Sequence, residues 1–140
     1  MYMNKKSVIY NFLKQNKYMA LATSSKQGKP EVATVEYVID GDDLLINTYV
    51  YYRKYKNISN NPNVACVVTT NHDMTLQFDG NIKQLEGEEA TYAKQKMLEV
   101  EPDFADYFSD EDTRFFRITL TWMRLRDYTK ESMEETEYIP

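Results

Sequence analysis

Six short segments with strand-type patterns, separated by turn-forming residues, constrain the fold of this 140-residue chain more than any other feature. Each segment is rich in apolar, β-branched or aromatic residues and is bounded by Gly, Pro, Asn, Asp or Ser, as in strands joined by short turns. The segments do not alternate with helix patterns as βαβ units would. The sequence therefore predicts a mainly β fold, an antiparallel barrel. The predicted strands are 18–23, 31–40, 44–50, 63–70, 74–84 and 114–128. The strand 63–70 is expected to be buried on both faces, and the strand 74–84 is expected to have a bulge or bend at Asp79-Gly80.

Two longer helix patterns accompany the strands. Residues 4–15 place apolar side chains three and four positions apart, so we expect a helix that lies across one end of the core. A second helix is predicted to begin at Gly87 and to end before Pro102. Its core-facing residues are predicted to be Ala93, Met97 and Val100. The connection 103–112 is acidic and aromatic, and it predicts a one-turn helix over the barrel mouth.

The short helix predicted at 53–60 begins with an unusual charge pattern. Arg53, Lys54 and Lys56 stand near its start, where the helix macrodipole is positive and acidic side chains are favoured. The mismatch is worth roughly 0.3–1 kcal/mol per charge, and a bound anion would reverse its sign.

Polar groups at the end of the preceding strand strengthen this signal. Asn47 and Thr48 offer hydrogen-bonding side chains just before the two cations and the free N–H groups of the helix start. The residues leave two interpretations open. They form a phosphate-binding site, or they are solvated surface lysines without a function.

Composition excludes several classes of protein. A formal net charge of -5 disfavours a basic nucleic-acid-binding surface. The single cysteine, Cys66, cannot form an internal disulfide, and with one histidine, His72, no metal site is expected. We expect Cys66 in the core and His72 in an exposed loop. No segment approaches the ~20 apolar residues of a membrane span, so a cytoplasmic protein is expected.

The length predicts one domain, residues 1–128. The acidic tail 129–140 is expected to be mobile or to lie on a partner.

Several short motifs follow one another between about residues 12 and 128. They are Ala20-Leu21-Ala22-Thr23, Gly28-Lys29-Pro30, Glu31-Val32-Ala33-Thr34-Val35, Asp40-Gly41-Asp42, Asn47-Thr48, Arg53-Lys54-Tyr55-Lys56-Asn57-Ile58, Asn61-Pro62 and Trp122-Met123-Arg124-Leu125. As an ordered set, they resemble the pyridoxamine 5'-phosphate oxidase-like family, the flavin mononucleotide (FMN)-binding split barrels.

The resemblance implies a six-stranded antiparallel split β-barrel of Greek-key type, dimeric, with FMN in clefts between the two subunits. It implies flavin-ring contacts along Val32, Ala33, Thr34, Val35 and Glu36, largely through backbone groups. It implies ribityl and phosphate contacts by Asn47 and Thr48, phosphate pairing by Arg53 and Lys54, and flavin contacts by Gln77 and Trp122, the last from the other subunit. The resemblance favours phosphate binding by Arg53 and Lys54 over the interpretation as solvated surface residues.

The chain also departs from the family pattern. Tyr52 stands where a small hydroxyl residue usually precedes the Arg-Lys pair, and Tyr37 replaces a lysine that binds the substrate phosphate in true pyridoxamine phosphate oxidases. No C-terminal Arg-x-His motif is present. The vitamin-salvage reaction of true pyridoxamine phosphate oxidases is therefore not expected of this chain. Glu36 has two interpretations: a group that bonds flavin or substrate, or a solvated or dimer-paired carboxylate.

The predicted function is that of an FMN-dependent oxidoreductase, which reduces a small substrate with electrons from a reduced nicotinamide. No catalytic side chain is assigned, because the flavin carries the redox chemistry. Other branches of the family bind a deazaflavin or haem, but the Arg-Lys and Asn-Thr pairs fit a mononucleotide phosphate better. The alternatives are a non-catalytic flavin-binding, storage or stress-related protein, and an empty barrel that binds a small ligand or a protein.

Overall fold

The computed structural model describes residues 3–70 and 73–140. The helices are α1 (Lys5–Lys14), α2 (Arg53–Asn60), α3 (Gly87–Val100) and α4 (Ala105–Phe108), with a 3-10 turn at Pro102–Phe104 before α4. The strands are β1 (Tyr18–Ser24), β2 (Pro30–Glu36), β3 (Val38–Asp40), β4 (Asp43–Tyr49), β5 (Asn63–Thr70), β6 (Met74–Gln84), β7 (Thr113–Asp127) and β8 (Glu134–Tyr138).

These strands form one antiparallel sheet in the order β2-β1-β5-β6-β7-β4-β3, with β8 added on β7. The two end strands, β2 and β3, are consecutive in the chain and are joined through Tyr37, so the sheet closes on itself. The long strands β6 and β7 pair with a register shift between Asp79 and Gly80, where a bulge was predicted. The split-barrel fold class is confirmed.

The predicted strand at 31–40 is divided at Tyr37. The side chain of Tyr37 is buried, its hydroxyl donates to the carbonyl of Leu13 at 2.7 Å, and its N–H donates to the carbonyl of Lys17 at 2.9 Å. The N–H bond continues the β1–β2 register by one more pair, Lys17 with Tyr37, and the hydroxyl bond holds the side chain against the end of α1. The chain then leaves β1 and pairs with β4 from Val38 onward.

The prediction of a mobile tail is wrong, because residues 134–138 form β8 on the edge of β7. Arg126 Nε lies 3.0 Å from Glu135 Oε1, and the indole N–H of Trp122 donates to Glu137 Oε2 at 3.1 Å. The acidic tail thus pairs with basic and polar groups of β7. Together with the division at Tyr37, β8 brings the number of strands in the described residues to eight, where six were predicted.

The buried apolar side chains of the described residues form two clusters. The inner one fills the barrel and contains Phe78 and Phe116, each 1% exposed, together with the apolar face of α1. The outer one lies between α3, α4 and the strands β3, β4 and β7. Burying such side chains contributes about 1.5–3 kcal/mol each before the entropy of folding is counted.

The structure corrects several details of the predicted core. Ala93 and Met97 are buried as predicted, but Val100 is 57% exposed. The one-turn helix exists as α4, where Phe108 packs in the outer cluster. Strand β5 is buried on one face only, since Ala65 is exposed.

Cys66 is buried as predicted, at 6% exposure. The prediction for His72 lies outside the described residues.

Gly80 at the bulge has no room for a side chain. A Cβ there would lie 2.6 Å from Ile118 Cγ2 and 2.9 Å from the backbone oxygen of Thr119. We expect Gly80→Ala to lower the free energy of unfolding by about 1–3 kcal/mol, as measured by urea denaturation. Asn81→Ala, which changes an exposed side chain at the next position, serves as the control. Equal stability of the two variants would contradict the close contact.

Within the described ranges 3–70 and 73–140, the helices are all too short or too polar to cross a bilayer.

Candidate functional site

Helix α2 begins without the usual capping groups. Its N-cap residue, Tyr52, makes no capping hydrogen bond through its side chain, and the first turn contains no acidic residue. The first backbone N–H groups of an α-helix have no partner within the helix. The start of α2 therefore presents free donors, a positive dipole end, and the cations Arg53 and Lys54.

A cavity of about 350 Å³ lies between this helix start and strands β1 and β2. Its lining residues are Leu21, Thr23, Glu31, Val32, Ala33, Tyr51, Tyr52, Arg53 and Lys54. The side chain of Arg53 is 79% exposed and Val32 is 70% exposed, so the cavity is open to solvent on that side. We call it the α2 cavity.

Lys54 is the less exposed of the two cations that line the α2 cavity. Its side chain is half-buried, and desolvation lowers the pKa of its ammonium group. The ammonium lies 4.6 Å from the ring centroid of Tyr52, and no ion pair involves it in the described part of the chain. A bound anion would compensate this desolvation.

Arg53 is already engaged by a carboxylate. Its Nε lies 3.4 Å from Glu31 Oε2, and the buried amide of Asn57 donates to the same oxygen at 3.3 Å and to Thr23 Oγ1 at 3.0 Å. The cavity thus contains two cations and one carboxylate, an excess of one positive charge. Sequence reasoning missed Glu31, Thr23 and Asn57. Apart from their polarity within apolar or helical segments, nothing in the sequence indicated that these three residues belong to the site.

Four of the predicted cofactor-binding residues come together in the α2 cavity: Val32, Ala33, Arg53 and Lys54. Along the rest of β2, Thr34 is exposed and Val35 belongs to the inner core. Glu36 lines a different cavity. The expected ring contacts are therefore divided between two regions of the surface.

Asn47 and Thr48 do not line the α2 cavity, although both stand on β4 just before α2. Adjacent residues of a strand point to opposite faces, so only one of them can face the barrel interior. Thr48 is 3% exposed, and its Oγ1 has no hydrogen-bond partner in the described structure. Burial of an unpaired hydroxyl is costly, so Thr48 is the better candidate of the two for a missing contact.

Gln77 and Trp122 lie on β6 and β7, in a separate polar network. Arg124 Nη2 donates to Gln77 Oε1 at 2.6 Å, and its guanidinium lies 5.2 Å from the centre of the Trp122 ring. Arg124 Nε is buried without a partner in the described structure. Arg124 was not predicted as a site residue. Contact of this network with a flavin held by a second copy stays a prediction.

Three tyrosines form an aromatic rim beside the α2 cavity. The rings of Tyr49, Tyr51 and Tyr52 lie 5.2–5.3 Å apart by their centroids. The Tyr51 hydroxyl donates to Asp110 Oδ2 at 2.9 Å, and this bond raises the pKa of Tyr51 to about 12. Tyr51 is 60% exposed and Tyr52 45% exposed, so the rim is available to a ligand or a second subunit.

Sequence comparison decides the family. The family described as pyridoxamine 5'-phosphate oxidase matches residues 7–127, which is most of the chain. The chain belongs to this family. No curated protein matches the sequence significantly.

Solved structures show that the family fold is shared at low sequence identity. A heme binding protein from Mycobacterium smegmatis superposes with a TM-score of 0.81 at 15% identity, over 97% of this chain and 59% of its own. HutZ, the heme storage protein from Vibrio cholerae, superposes with a TM-score of 0.70 at 19% identity, over 98% of this chain and 97% of its own. A Clostridium acetobutylicum protein related to general stress protein 26 superposes with a TM-score of 0.70 at 16% identity, over 98% of this chain and 96% of its own. These similarities establish the fold alone.

Proposed function

We propose that this chain binds FMN, with the phosphate against the start of α2 and the flavin ring along β2. The observation that carries the proposal is the α2 cavity, which joins an uncapped helix start, the half-buried Lys54 and the exposed Arg53 to the segment Val32–Ala33. Free N–H groups, a positive dipole end and two cations are the elements that bind a phosphate monoester in proteins.

The size of the cavity supports a site that two subunits share. About 350 Å³ lies near the lower end of the ~300–1,000 Å³ typical of ligand pockets, and one wall is open. Val32, Tyr51 and Tyr52 are exposed around this opening. A second copy that covers them would bury apolar surface and enclose the ligand, which is why we propose a homodimer.

The activity that we propose is flavin-mediated reduction of a small substrate with a reduced nicotinamide as electron donor. Bound FMN would supply the hydride chemistry, and the chain would supply position and electrostatics. Lys54 and the N–H groups of α2 would hold the phosphate. Glu31 would hold the Nε edge of Arg53 and leave the other guanidinium nitrogens free for the phosphate.

Non-catalytic binding or storage of the cofactor is the second candidate, because two of the similar structures are described as heme binding and heme storage proteins. Haem requires an axial ligand from the protein. Cys66 is buried in the inner core, where desolvation raises the pKa of its thiol to about 12. The chain has one histidine, His72. Haem binding through imidazole would therefore have to use that residue.

The visible absorption spectrum of the purified protein, before and after added FMN, tests the proposal. We expect flavin bands at a stoichiometry near one per subunit, with bleaching by NADPH under anaerobic conditions if the protein is an oxidoreductase. Flavin bands without bleaching would favour storage. A parallel titration with haemin uses the wild type and the His72→Ala variant.

A protein that takes up haemin but not FMN would contradict the proposal. Loss of haemin binding in His72→Ala would then assign haem to the imidazole. A protein that binds neither would leave a barrel without this cofactor function.

A further inference from the structure

A second cavity of about 530 Å³ lies apart from the α2 cavity and shares no lining residue with it. It is enclosed by the end of α1, the connection between β2 and β3, and the end of α3. Its apolar walls are Leu13, Val38, Ile39 and Val100. We call it the Glu36 cavity, because Glu36 at the end of β2 lines it. Its volume lies within the range of ligand pockets.

The helix ends that border the Glu36 cavity have the opposite dipole sign to the helix start at the α2 cavity. The carboxyl ends of two helices, α1 and α3, meet there, and each carries the negative end of a helix dipole, about half an elementary charge. The last turn of α3 contains no basic residue. Both helix ends therefore favour a positive charge in the space between them.

The side chains add two carboxylates, and only one of them forms a close ion pair. Glu101 is paired with Lys17, whose Nζ lies 3.2 Å from Glu101 Oε2. Glu36 forms no ion pair in the described structure. Burial raises the pKa of its carboxyl, whereas a hydrogen bond with Tyr18 and the charge of Lys17 act in the opposite direction. The remaining lysine of the lining, Lys14, is exposed at the end of α1.

We propose that the Glu36 cavity binds a small apolar or aromatic molecule carrying a protonated amine, with the ammonium beside Glu36 and the apolar part against Ile39 and Val100. An ammonium there would form the close ion pair that Glu36 lacks and would interact with both helix ends. Val100, exposed on the rim although it belongs to the apolar spacing of α3, would cover the apolar part.

The site also adjoins the expected position of the flavin. Ala33 lines the α2 cavity and Glu36 lines the second one, and three residues of strand span about 10 Å. A flavin whose phosphate lies at α2 and whose ring follows β2 would point its ring toward the Glu36 cavity. This role as a reactant site rests on the proposed function, whereas binding of the amine does not.

Three probes of similar shape test the proposal: benzylamine, benzyl alcohol and benzoate. They share one ring and differ in charge. We expect saturable NMR shift changes of the Val38, Ile39 and Val100 methyl groups with benzylamine, and much weaker changes with the neutral and anionic probes. Glu36→Gln should weaken benzylamine binding about tenfold without changing the response to benzyl alcohol. Glu88→Gln, the same change at the exposed start of α3, is the matched control and should bind benzylamine as the wild type does.

Two outcomes would overturn the proposal: benzylamine that binds no better than benzyl alcohol, or Glu36→Gln that binds benzylamine as well as the wild type does. Thermal denaturation of each variant verifies that it is folded. Glu36→Asp keeps the charge and should retain part of the benzylamine affinity. Because the titrations use flavin-free protein, normal benzylamine binding in a protein that takes up no FMN would contradict only the proposed flavin function.

Discussion

Replacing Arg53 and Lys54 together with alanine is expected to weaken FMN binding by about 3–5 kcal/mol, or roughly two to four orders of magnitude in Kd. Each cation would form a charge-assisted bond with the phosphate, and such bonds contribute ~1.5–3 kcal/mol. Lys54 should account for the larger part, since it is half-buried, whereas the side chain of Arg53 is 79% exposed and screened by water. Quenching of flavin fluorescence on titration measures both single variants and the double variant.

Lys56→Ala is the matched control for this experiment. Lys56 lies on the same helix and carries the same charge, but it is exposed and does not line the α2 cavity. We expect its FMN affinity to stay within a factor of a few of the wild type. Riboflavin, which lacks the phosphate, should lose much less affinity in the double variant than FMN does. Equal losses for the two flavins would show that the cations do not bind the phosphate.

Replacing Phe116 with alanine is expected to lower the free energy of unfolding by about 3–5 kcal/mol. The side chain is 1% exposed in the inner core, on β7 between β4 and β6. Its removal loses a large apolar surface and leaves a cavity that its neighbours cannot fill completely. Urea denaturation measures the change, and Tyr107→Ala, which truncates a 57% exposed aromatic side chain, should stay within about 0.5 kcal/mol of the wild type.

The same variant should also affect the site. The ring of Tyr55 in α2 meets the Phe116 ring edge-on, with centroids 6.2 Å apart. This contact helps to hold α2 against the barrel, so its loss should let the helix start move and should weaken FMN binding under conditions where the variant is still folded. Unchanged stability in Phe116→Ala would contradict the packing of the inner core described above.

Local sequence patterns predicted the elements whose ends are marked by proline, glycine or other turn residues. The bounds of α2, β5 and β6 agree with the predicted ranges, since Pro62 and the turn residues mark their ends. The bulge at Asp79 and Gly80 was also predicted, because a glycine inside a strand pattern has few other roles. The joint position of Arg53 and Lys54 at an uncapped helix start followed from their order in the chain.

Other features depend on contacts between distant segments, which no local pattern encodes. Strand β8 has an acidic sequence of weak β propensity and forms because β7 offers it an edge and basic partners. The buried position of Tyr37, where the chain passes from β1 to β4, includes a hydrogen bond to the carbonyl of Leu13, 24 residues earlier. The pairing of Glu31 with Arg53 joins residues that are 22 positions apart.

The sequence by itself determined the family, the antiparallel barrel and the two cations at the start of α2. These follow from hydrophobic periodicity, turn residues and charge at a helix end, all of which act over a few residues. Only the tertiary structure decided that β2 lines two separate cavities, one at the start of a helix and the other at the ends of two helices. Which helix ends meet at a strand, and which carboxylate there forms no ion pair, depend on how separate segments pack in three dimensions.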